Sequence, residues 1–510
     1  MARRWWALGV VSIGVFMLLL DITIVIVALP DIAAGFRASL SGLQWVIDAY
    51  ALALASLLLT GGLLADRAGR RLLFLVGIAI FTLGSLLCGA SLGIVFLSIS
   101  RAFQGSGGAI MFATSLAILS ESFQGRERGI AFGVYGAVSG LAVAVGPIIG
   151  GALVTGLGWR WIFFVNVPVG IVLLIVTLVR LDESRDPLPK PLDLPALVTF
   201  SAGLAALIFA LIRSDTAGWS SITVIASLVA GVVLLGGFVA VELRQPKPMF
   251  DLSLLRVPTF SGGLIAAFAI SASIFSVLTY LVIFVQEALG LSALAAGVRF
   301  LPLSLSLFVA AGIAGRLSSI ISRRLLITPG FLLIGAGLLL MRGLTMASGW
   351  THLLPGMIVS GVGAGVVNVP LIATAVGVVS PAHAGMASGI NSTFRQIGIT
   401  TGVAVLGAIF IGRIRSTVLG HLAGTALAGA EHQIAVAAAS GFIGPTVASL
   451  PAPLRPLVTA AAHAGFVDAL NLILLVAALL AFVGAVFSFF LIRERDFLEG
   501  QGQVTRETEV

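Results

Sequence analysis

Gly62 to Arg71 reads GLLADRAGRR, and Gly315 to Arg324, in the second half of the chain, reads GRLSSIISRR. A Gly opens both copies and a pair of Arg closes both. Leu-Leu and an apolar helical stretch follow each (Leu72-Leu73 and Leu325-Leu326). A second stretch repeats in one constant register. Gly105, Gly107 and Gly129 fall on Gly361, Gly363 and Gly385, and Gly133, Gly146 and Gly151 fall on Gly389, Gly402 and Gly407. A chain with 61 Gly supplies some such matches by chance. A single register held through two apolar helices and their connection is harder to obtain that way. Repeats of this size predict two homologous helix bundles facing a common path, an architecture that moves solutes.

Composition points to the same solvent. Of 510 residues, 59% are hydrophobic and 10% charged, where a soluble domain carries about 25% charged residues. That much apolar surface needs lipid, and only helices or closed barrels satisfy their backbone there. The apolar runs have the length of a helix crossing a hydrocarbon core of roughly 30 Å. The fold expected is therefore an all-α polytopic membrane protein. The sole cysteine, Cys88, lies in an apolar run and reads as a buried small residue, with no disulfide possible inside one chain. A net charge of +8 would hint at nucleic acid in a soluble protein. Here it reports topology, and no nucleic-acid partner is expected.

Apolar runs between charged or Pro/Gly-rich breaks fall near 7–30, 43–64, 72–92, 94–119, 129–155, 162–180 and 194–213 in the first part of the chain. They continue near 221–241, 260–284, 293–315, 325–344, 352–378, 384–411 and 467–491. With an even number of spans both termini share a side. Most of the 29 Lys and Arg collect on that side, which places both termini in the cytoplasm by the positive-inside bias. All 7 Trp sit at span ends, as an interfacial belt requires. The first run is read as a retained span, since no convincing small-residue cleavage site follows it.

The repeats set the expected organisation. Residues 1–182 form a six-helix bundle, and 183–258 a linker carrying spans 7 and 8, which have no counterpart in the repeat. Residues 259–495 form a second six-helix bundle with a long external loop at 412–465, and 496–510 a cytoplasmic tail. The Ala/Gly-rich loop is too long to be wholly unstructured in a compact protein and is expected to hold short amphipathic helices.

Asp21 carries the strongest functional signal. It lies in LLLDITIVIVALPDI, deep within span 1, and a carboxylate at that depth faces the bundle interior and is functional by default. Arg101 on span 4 is its natural partner. At a 1.5 Å rise per residue, Asp21 lies about 8–13 Å and Arg101 about 11–14 Å below the external boundary. Burial disfavours the charged carboxylate and a nearby cation favours it, a tension that suits a group gaining and losing a proton. A static structural ion pair is the alternative. Asp48, in QWVIDAYALAL of span 2, admits three readings: a second proton site, a contact for substrate cations, or a hydrated residue near the mouth. The only tyrosines, Tyr50, Tyr135 and Tyr280, fall within spans and suit either a cavity wall or a hydrogen-bonded core. Gln104, Asn368, Asn391 and Arg395 are the further intramembrane polar candidates for cavity lining.

GLLADRAGRR lies in the cytoplasmic link between spans 2 and 3. Gly62 permits close helix approach and Gly69 a tight turn, while Asp66, Arg67, Arg70 and Arg71 can pair to latch the face, forming a candidate gate. Ser319 and Ser322 stand in the second copy where the first has Asp and Gly, so the latch is expected to be asymmetric. Span 5 contains GAVSGLAVAVGPIIGG, where Gly140, Gly146, Gly150 and Gly151 allow backbone contact between helices and Pro147 favours a kink.

Together these segments resemble the major facilitator superfamily, specifically its fourteen-helix drug–proton antiporter branch, over essentially the whole chain. LDITIVIVALP, from Leu20 to Pro30, looks like that branch's span-1 signature, with Asp21 at its acidic position. RAFQGSGGA, from Arg101 to Ala109, resembles the span-4 motif whose arginine is associated with proton coupling. GLLADRAGRR resembles the superfamily's loop motif, GAVSGLAVAVGPIIGG the antiporter motif, and WRWIFFVNVPVG, Trp159 to Gly170, is also similar to the branch. The resemblance implies two six-helix bundles plus two linker helices in a bacterial-type cytoplasmic membrane. It also implies export of amphipathic small molecules in exchange for protons, with no cofactor beyond the proton gradient. One departure matters. Some members carry an extra carboxylate in span 10 or 13 that helps them take divalent cations, whereas span 10 here has no acid and span 13 carries Arg395.

No Walker, zinc or catalytic-triad pattern occurs, so an ATPase or hydrolytic enzyme is not expected. Two alternatives to drug export stand beside it. One is an exporter of a specific endogenous lipid, siderophore or self-made antibiotic. The other is a membrane receptor or channel-like protein that does not transport.

Overall fold

A computed structural model describes residues 2–36, 38, 40–123, 125–184, 194–245, 252–318, 320–379, 384–423, 425, 431–439, 447 and 450–497. Every span expected from the sequence coincides with a helix. The first bundle holds α1 (Ala2–Phe36), α2 (Leu40–Ala68), α3 (Arg70–Gly89), α4 (Ile94–Ser122), α5 (Gly125–Leu157) and α6 (Trp161–Arg180). The pair α7 (Leu194–Ala217) and α8 (Ile222–Glu242) follows. The second bundle holds α9 (Pro258–Ile283), α10 (Ala293–Arg299 and Leu301–Leu317), α11 (Arg323–Leu340), α12 (Leu354–Gly377), α13 (Ala384–Leu422) and α14 (Arg455–Leu491). Among the described residues 11 helices are long and apolar enough to cross a membrane. The other three expected spans, α2, α5 and α10, contain shorter apolar helices: Trp45–Leu58, Ile130–Ala142 with Ile148–Leu157, and Leu301–Leu317.

The repeated glycines have a common physical cause. A Cβ on Gly105 would come within 2.5 Å of the Tyr50 carbonyl oxygen of α2, and one on Gly361 would overlap the Leu303 carbonyl of α10. Gly107 meets the backbone of α3 at Phe81, and Gly363 that of α11 at Ile334. Each bundle thus seats its fourth helix against its second and third by the same two missing side chains. The apolar cores divide accordingly. One contains Phe74, Met111 and Leu119, another Ile24, Cys88 and Phe163, and the largest gathers Phe260, Phe331, Met357 and Ile473 of the second bundle.

α7 packs against both α2 and α13, so the pair α7–α8 lies over the seam between bundles. Leu204 and Ile208 cover Ala55, with Ile397 of α13 against the same cluster, and the Thr60 and Ser201 hydroxyls share a hydrogen bond of 2.9 Å. Ile222, Val232 and Val233 of α8 are exposed, as lipid-facing residues are.

The long loop differs from expectation. α13 runs on to Leu422 and α14 begins at Arg455, so helix extensions enter 412–465 from both ends, and among the described residues a separate short helix stands at Glu431–Ala439. The reason is a continued apolar stripe: Ile414, Val418 and Leu422 are buried in the same core as Val458 and Ala461. Arg413 ties this extension to Asp468 at 2.8 Å. Most of the tail expected at 496–510 lies outside the described residues.

Candidate functional site

Asp21 and Arg101 meet, as their depths suggest. Each is 1% exposed, and Arg101 Nη1 donates to Asp21 Oδ2 at 2.5 Å. Asp21 Oδ1 accepts from Gln104 Nε2 at 2.8 Å and from Asn166 Nδ2 at 2.9 Å. The guanidinium is held in turn by the Val46 carbonyl at 3.1 Å and Gln104 Oε1 at 2.7 Å, and it lies 4.1 Å from the centre of the Tyr50 ring. Gln104 also donates to Ser85 Oγ at 2.7 Å. Five helices therefore contribute to one sealed cluster. The carboxylate thus accepts from three donors in this arrangement.

Of this cluster, Asp21, Arg101 and Gln104 are candidates from sequence, whereas Asn166 and Ser85 are not among them. Asn166 had a legible signal: an amide inside the apolar WRWIFFVNVPVG is costly unless partnered. Gln104 and Tyr50 do not line the cavity between the bundles. Gln104 instead fills hydrogen-bonding positions of the buried ion pair, and the Tyr50 ring lies under the Arg101 guanidinium.

A separate cavity of about 250 Å³ lies between the bundles, walled by α1, α2, α4 and α5 on one side and α9, α10, α12 and α13 on the other. Its walls are largely apolar, with Leu18, Ile22, Phe112, Phe275, Leu278 and Leu307 among them. Of the polar candidates, Tyr135, Asn368, Asn391 and Arg395 line it, joined by Ser139 and Gln396. Tyr280 does not. Its hydroxyl donates to the Val403 carbonyl at 2.7 Å and its ring packs on Phe410, which makes it a core tyrosine. Asp21 and Asp48 are also absent from the wall, and Asp48 is half-buried in α2. A cation in the cavity would therefore touch neither carboxylate in this arrangement.

The repeat register extends to this wall. The alignment that sets Gly133 on Gly389 also sets Tyr135 on Asn391 and Ser139 on Arg395, and all four line the cavity. Polar positions of α5 thus face their counterparts of α13 across one space.

The glycines of α5 divide their work along the helix. Gly136 and Gly140 border the cavity, Gly140 beside Leu307 of α10. Gly146 and Gly150 press against Thr23 and Ile24 of α1, next to Asp21. Gly151 is buried, and the Pro147 side chain lies outside the described residues. One helix therefore touches both the cavity and the turn of α1 that carries the carboxylate.

At the face carrying both termini, Gly69 takes φ 120°, a positive φ that glycine adopts without strain, at the tight link between α2 and α3. The room left by its missing side chain is filled by the Glu183 carboxylate, which accepts from the backbone N–H of Arg71 and Leu72, each at 3.1 Å. Arg70 pairs with Glu121 of α4, and Arg71 Nη2 donates to the Leu178 carbonyl at 2.6 Å. Glu121 and Leu178 belong to the first bundle and Glu183 directly follows its last helix, so the contacts seen brace that bundle rather than bridge to the second. Gly62 is buried, but the residue seen against α4 is its neighbour Gly61, 3.1 Å from Ile110 Cα as measured from an added Cβ. Arg67 is exposed, and the Asp66 side chain lies outside the described residues.

The second bundle repeats the carboxylate cap without the glycine turn. Ser322 has φ −59°, yet Glu494 accepts from the Arg323 backbone N–H at 2.7 Å. In each bundle an acid just beyond the last helix caps the third, where the helix dipole favours negative charge.

The chain matches the Major Facilitator Superfamily over residues 11–403. The chain belongs to that superfamily. It is 34% identical over 412 residues to the multidrug resistance protein Stp of Mycobacterium tuberculosis strain H37Rv, covering 81% of this chain and 76% of that protein. It is 32% identical over 493 residues to the tetracenomycin C resistance and export protein of Streptomyces glaucescens, covering 96% and 91%. The puromycin resistance protein pur8 of Streptomyces alboniger is 36% identical over 424 residues, covering 82% and 84%. In three dimensions the chain superposes on the human organic anion transporter MFSD10 (TETRAN) with TM-score 0.63 at 17% identity, over 96% of this chain and 100% of that one. That likeness concerns the fold. It agrees with the two-bundle architecture of this multi-pass membrane protein.

Proposed function

We propose that this superfamily member is a secondary antiporter that exports amphipathic small molecules across a bacterial cytoplasmic membrane in exchange for protons, with both termini cytoplasmic. The observation that carries the reading is a sealed carboxylate cluster inside one bundle beside an apolar cavity between two. Names of relatives at this identity, concerned with drug resistance and export, support the substrate class.

Asp21 is the proton carrier in this scheme. Proton entry displaces at least one donor of Arg101, Gln104 or Asn166 and so loosens the tie of α1 to α4 and α6. α5 transmits the change, because Gly146 and Gly150 hold it against α1 while Gly136 and Gly140 face the cavity. Substrate in the cavity favours the arrangement in which the proton leaves. The Gly69–Glu183 and Arg70–Glu121 contacts keep the first bundle rigid while it rocks.

The test is flux in proteoliposomes under an imposed pH gradient, read with a fluorescent amphipathic dye. Uphill dye movement that collapses when a protonophore is added is the expected result. Flux indifferent to the gradient would remove proton coupling, and an absence of flux would favour a non-transporting receptor. A dedicated exporter of one endogenous compound is the second reading, favoured because two of the relatives are named for a single compound. A broad amphiphile screen separates the two by the number of compounds carried.

A further inference from the structure

Arg395 is the charged residue that lines the cavity, and no carboxylate joins it on the wall among the described residues. One hydrogen bond of its guanidinium is seen, from Nη2 to Asn368 Oδ1 at 2.5 Å, while its buried Nε has no partner. A guanidinium has five N–H donors in a rigid planar fork. Beside it the hydroxyl of Tyr135, 2% exposed, is buried and unpartnered, and so is the side-chain oxygen of Asn391, also 2% exposed. The amide of Asn391 can present either its oxygen or its N–H groups to the cavity, since the two orientations have nearly the same shape.

These three groups without protein partners converge on one apolar cavity, where a bound ligand can supply the missing hydrogen bonds. They are a guanidinium and an amide from α13 and a phenol from α5 on the opposite bundle, and Tyr135 and Asn391 occupy equivalent repeat positions. Arg101 shows the contrast: that guanidinium is matched by a carboxylate and two further acceptors. Arg395 has the cation without the anion. In a low-dielectric space an uncompensated guanidinium is costly, and a planar oxyanion is the ligand its fork fits.

We propose that Arg395, with Tyr135 and Asn391, forms an oxyanion subsite, and that the amphiphiles this protein binds best carry one carboxylate or similar oxyanion on an apolar body. The proposal rests on reading the cavity as the transport site. Leu18, Phe112, Phe275 and Leu278 supply the surface for the apolar body. The volume of about 250 Å³ sits at the small end of ligand pockets, which run roughly 300–1,000 Å³, so it suits a compact ring system. A free aromatic acid and an anionic lipid headgroup share this chemistry.

The experiment measures binding to purified full-length protein of three matched probes: a naphthyl-alkanoic acid, its primary amide and its trimethylammonium analogue. Wild type should bind the acid at least about tenfold more tightly than the amide, since a charged hydrogen bond is worth roughly 1.5–3 kcal/mol. Arg395→Gln should erase that gap while still binding the amide, and Arg395→Lys should keep part of it. Tyr135→Phe should narrow it and provides a second route if the Arg395 variants do not fold. Equal binding of acid and amide by wild type overturns the subsite, as does a full gap surviving in Arg395→Gln. Amide flux under a pH gradient without acid preference sinks the subsite and leaves export standing. Acid preference without flux does the reverse, and binding of none of the probes counts against both. Competition with lysophosphatidic acid against monoacylglycerol identifies the source: displacement by the former alone admits lipid anions, and no displacement restricts the subsite to free acids.

Discussion

Asp21 accepts a hydrogen bond of 2.9 Å from Asn166, which lies 145 residues further along the chain in the last helix of the same bundle. With Arg101 and Gln104 it closes the carboxylate within the bundle, away from the cavity wall. In the proposed exchange the proton and the substrate therefore occupy different places, and coupling would travel through helix packing rather than direct contact.

Asp21→Asn should insert and fold but lose pH-gradient-driven export. The amide keeps the shape of the carboxyl and one of its acceptors, yet it cannot take up a proton in the working range. The check is proteoliposome flux with melting temperature measured alongside. Wild-type gradient-driven flux in the variant would remove Asp21 from the mechanism.

Arg101→Ala should change the pH profile of transport or abolish turnover. Without the cation, Asp21 loses the charged donor that ties α1 to α4. Breaking a buried pair also costs about 3–5 kcal/mol unless the remaining partner neutralises. A superimposable pH–flux curve with normal turnover would show that the two groups are uncoupled.

The repeat makes a paired prediction about packing. Gly105→Ala and Gly361→Ala should each destabilise the protein by about 1–3 kcal/mol, because the new methyl meets helix backbone that cannot swing aside. Gly236→Ala of α8, where an added Cβ meets nothing within 4 Å, is the control and should leave the melting temperature unchanged or higher. Equal tolerance at all three positions would mean that the glycine register has no structural purpose.

The glycine register made the bundles legible because backbone contact between helices leaves a signature at fixed spacing. Asp21 and Arg101 were legible because a charge deep in an apolar run is too costly to be kept without a partner. The cavity was harder to read. Tyr50, Tyr135 and Tyr280 look alike in sequence, but one lies under Arg101, one faces the cavity and one bonds to Val403. The rotation of each helix decides among these roles, and the low amphipathicity of membrane helices hides that rotation. Glu183 and Glu494 were missed for another reason: each acts on a helix far from it in sequence, through backbone N–H groups that any residue supplies.

Removing α7 and α8, with the flanks rejoined, should leave an inserted, monodisperse protein of lower melting temperature. The repeat gives the pair no counterpart, but α7 covers Ala55 and donates or accepts at Thr60 through Ser201. Its loss exposes apolar surface that lipid can cover, together with one unpaired hydroxyl. Size-exclusion profile and thermal melt in one detergent provide the check, and wholesale aggregation would make the pair integral to the bundles.

Among neutral and cationic substrates, charge should set a single order of export. No carboxylate lines the cavity among the described residues, and Arg395 adds a positive charge to it. The sequence offers no acid in span 10, and Arg395 itself stands in span 13. A monocation can keep its charge near the hydrated mouth while its apolar body enters. A dication of similar size must bring its second charge past Arg395 with nothing to balance it, and like charges close together in a low-dielectric space repel strongly. Export should therefore fall from neutral compounds and monocations to dications. Paired export assays with a monovalent and a divalent quaternary ammonium compound of matched hydrophobicity measure this directly. Arg395→Gln should narrow the difference by improving the dication, since it removes the repelling charge without adding a carboxylate. Equal or better export of the dication by wild type would show that Asp48 or another acid reaches the cavity during the cycle.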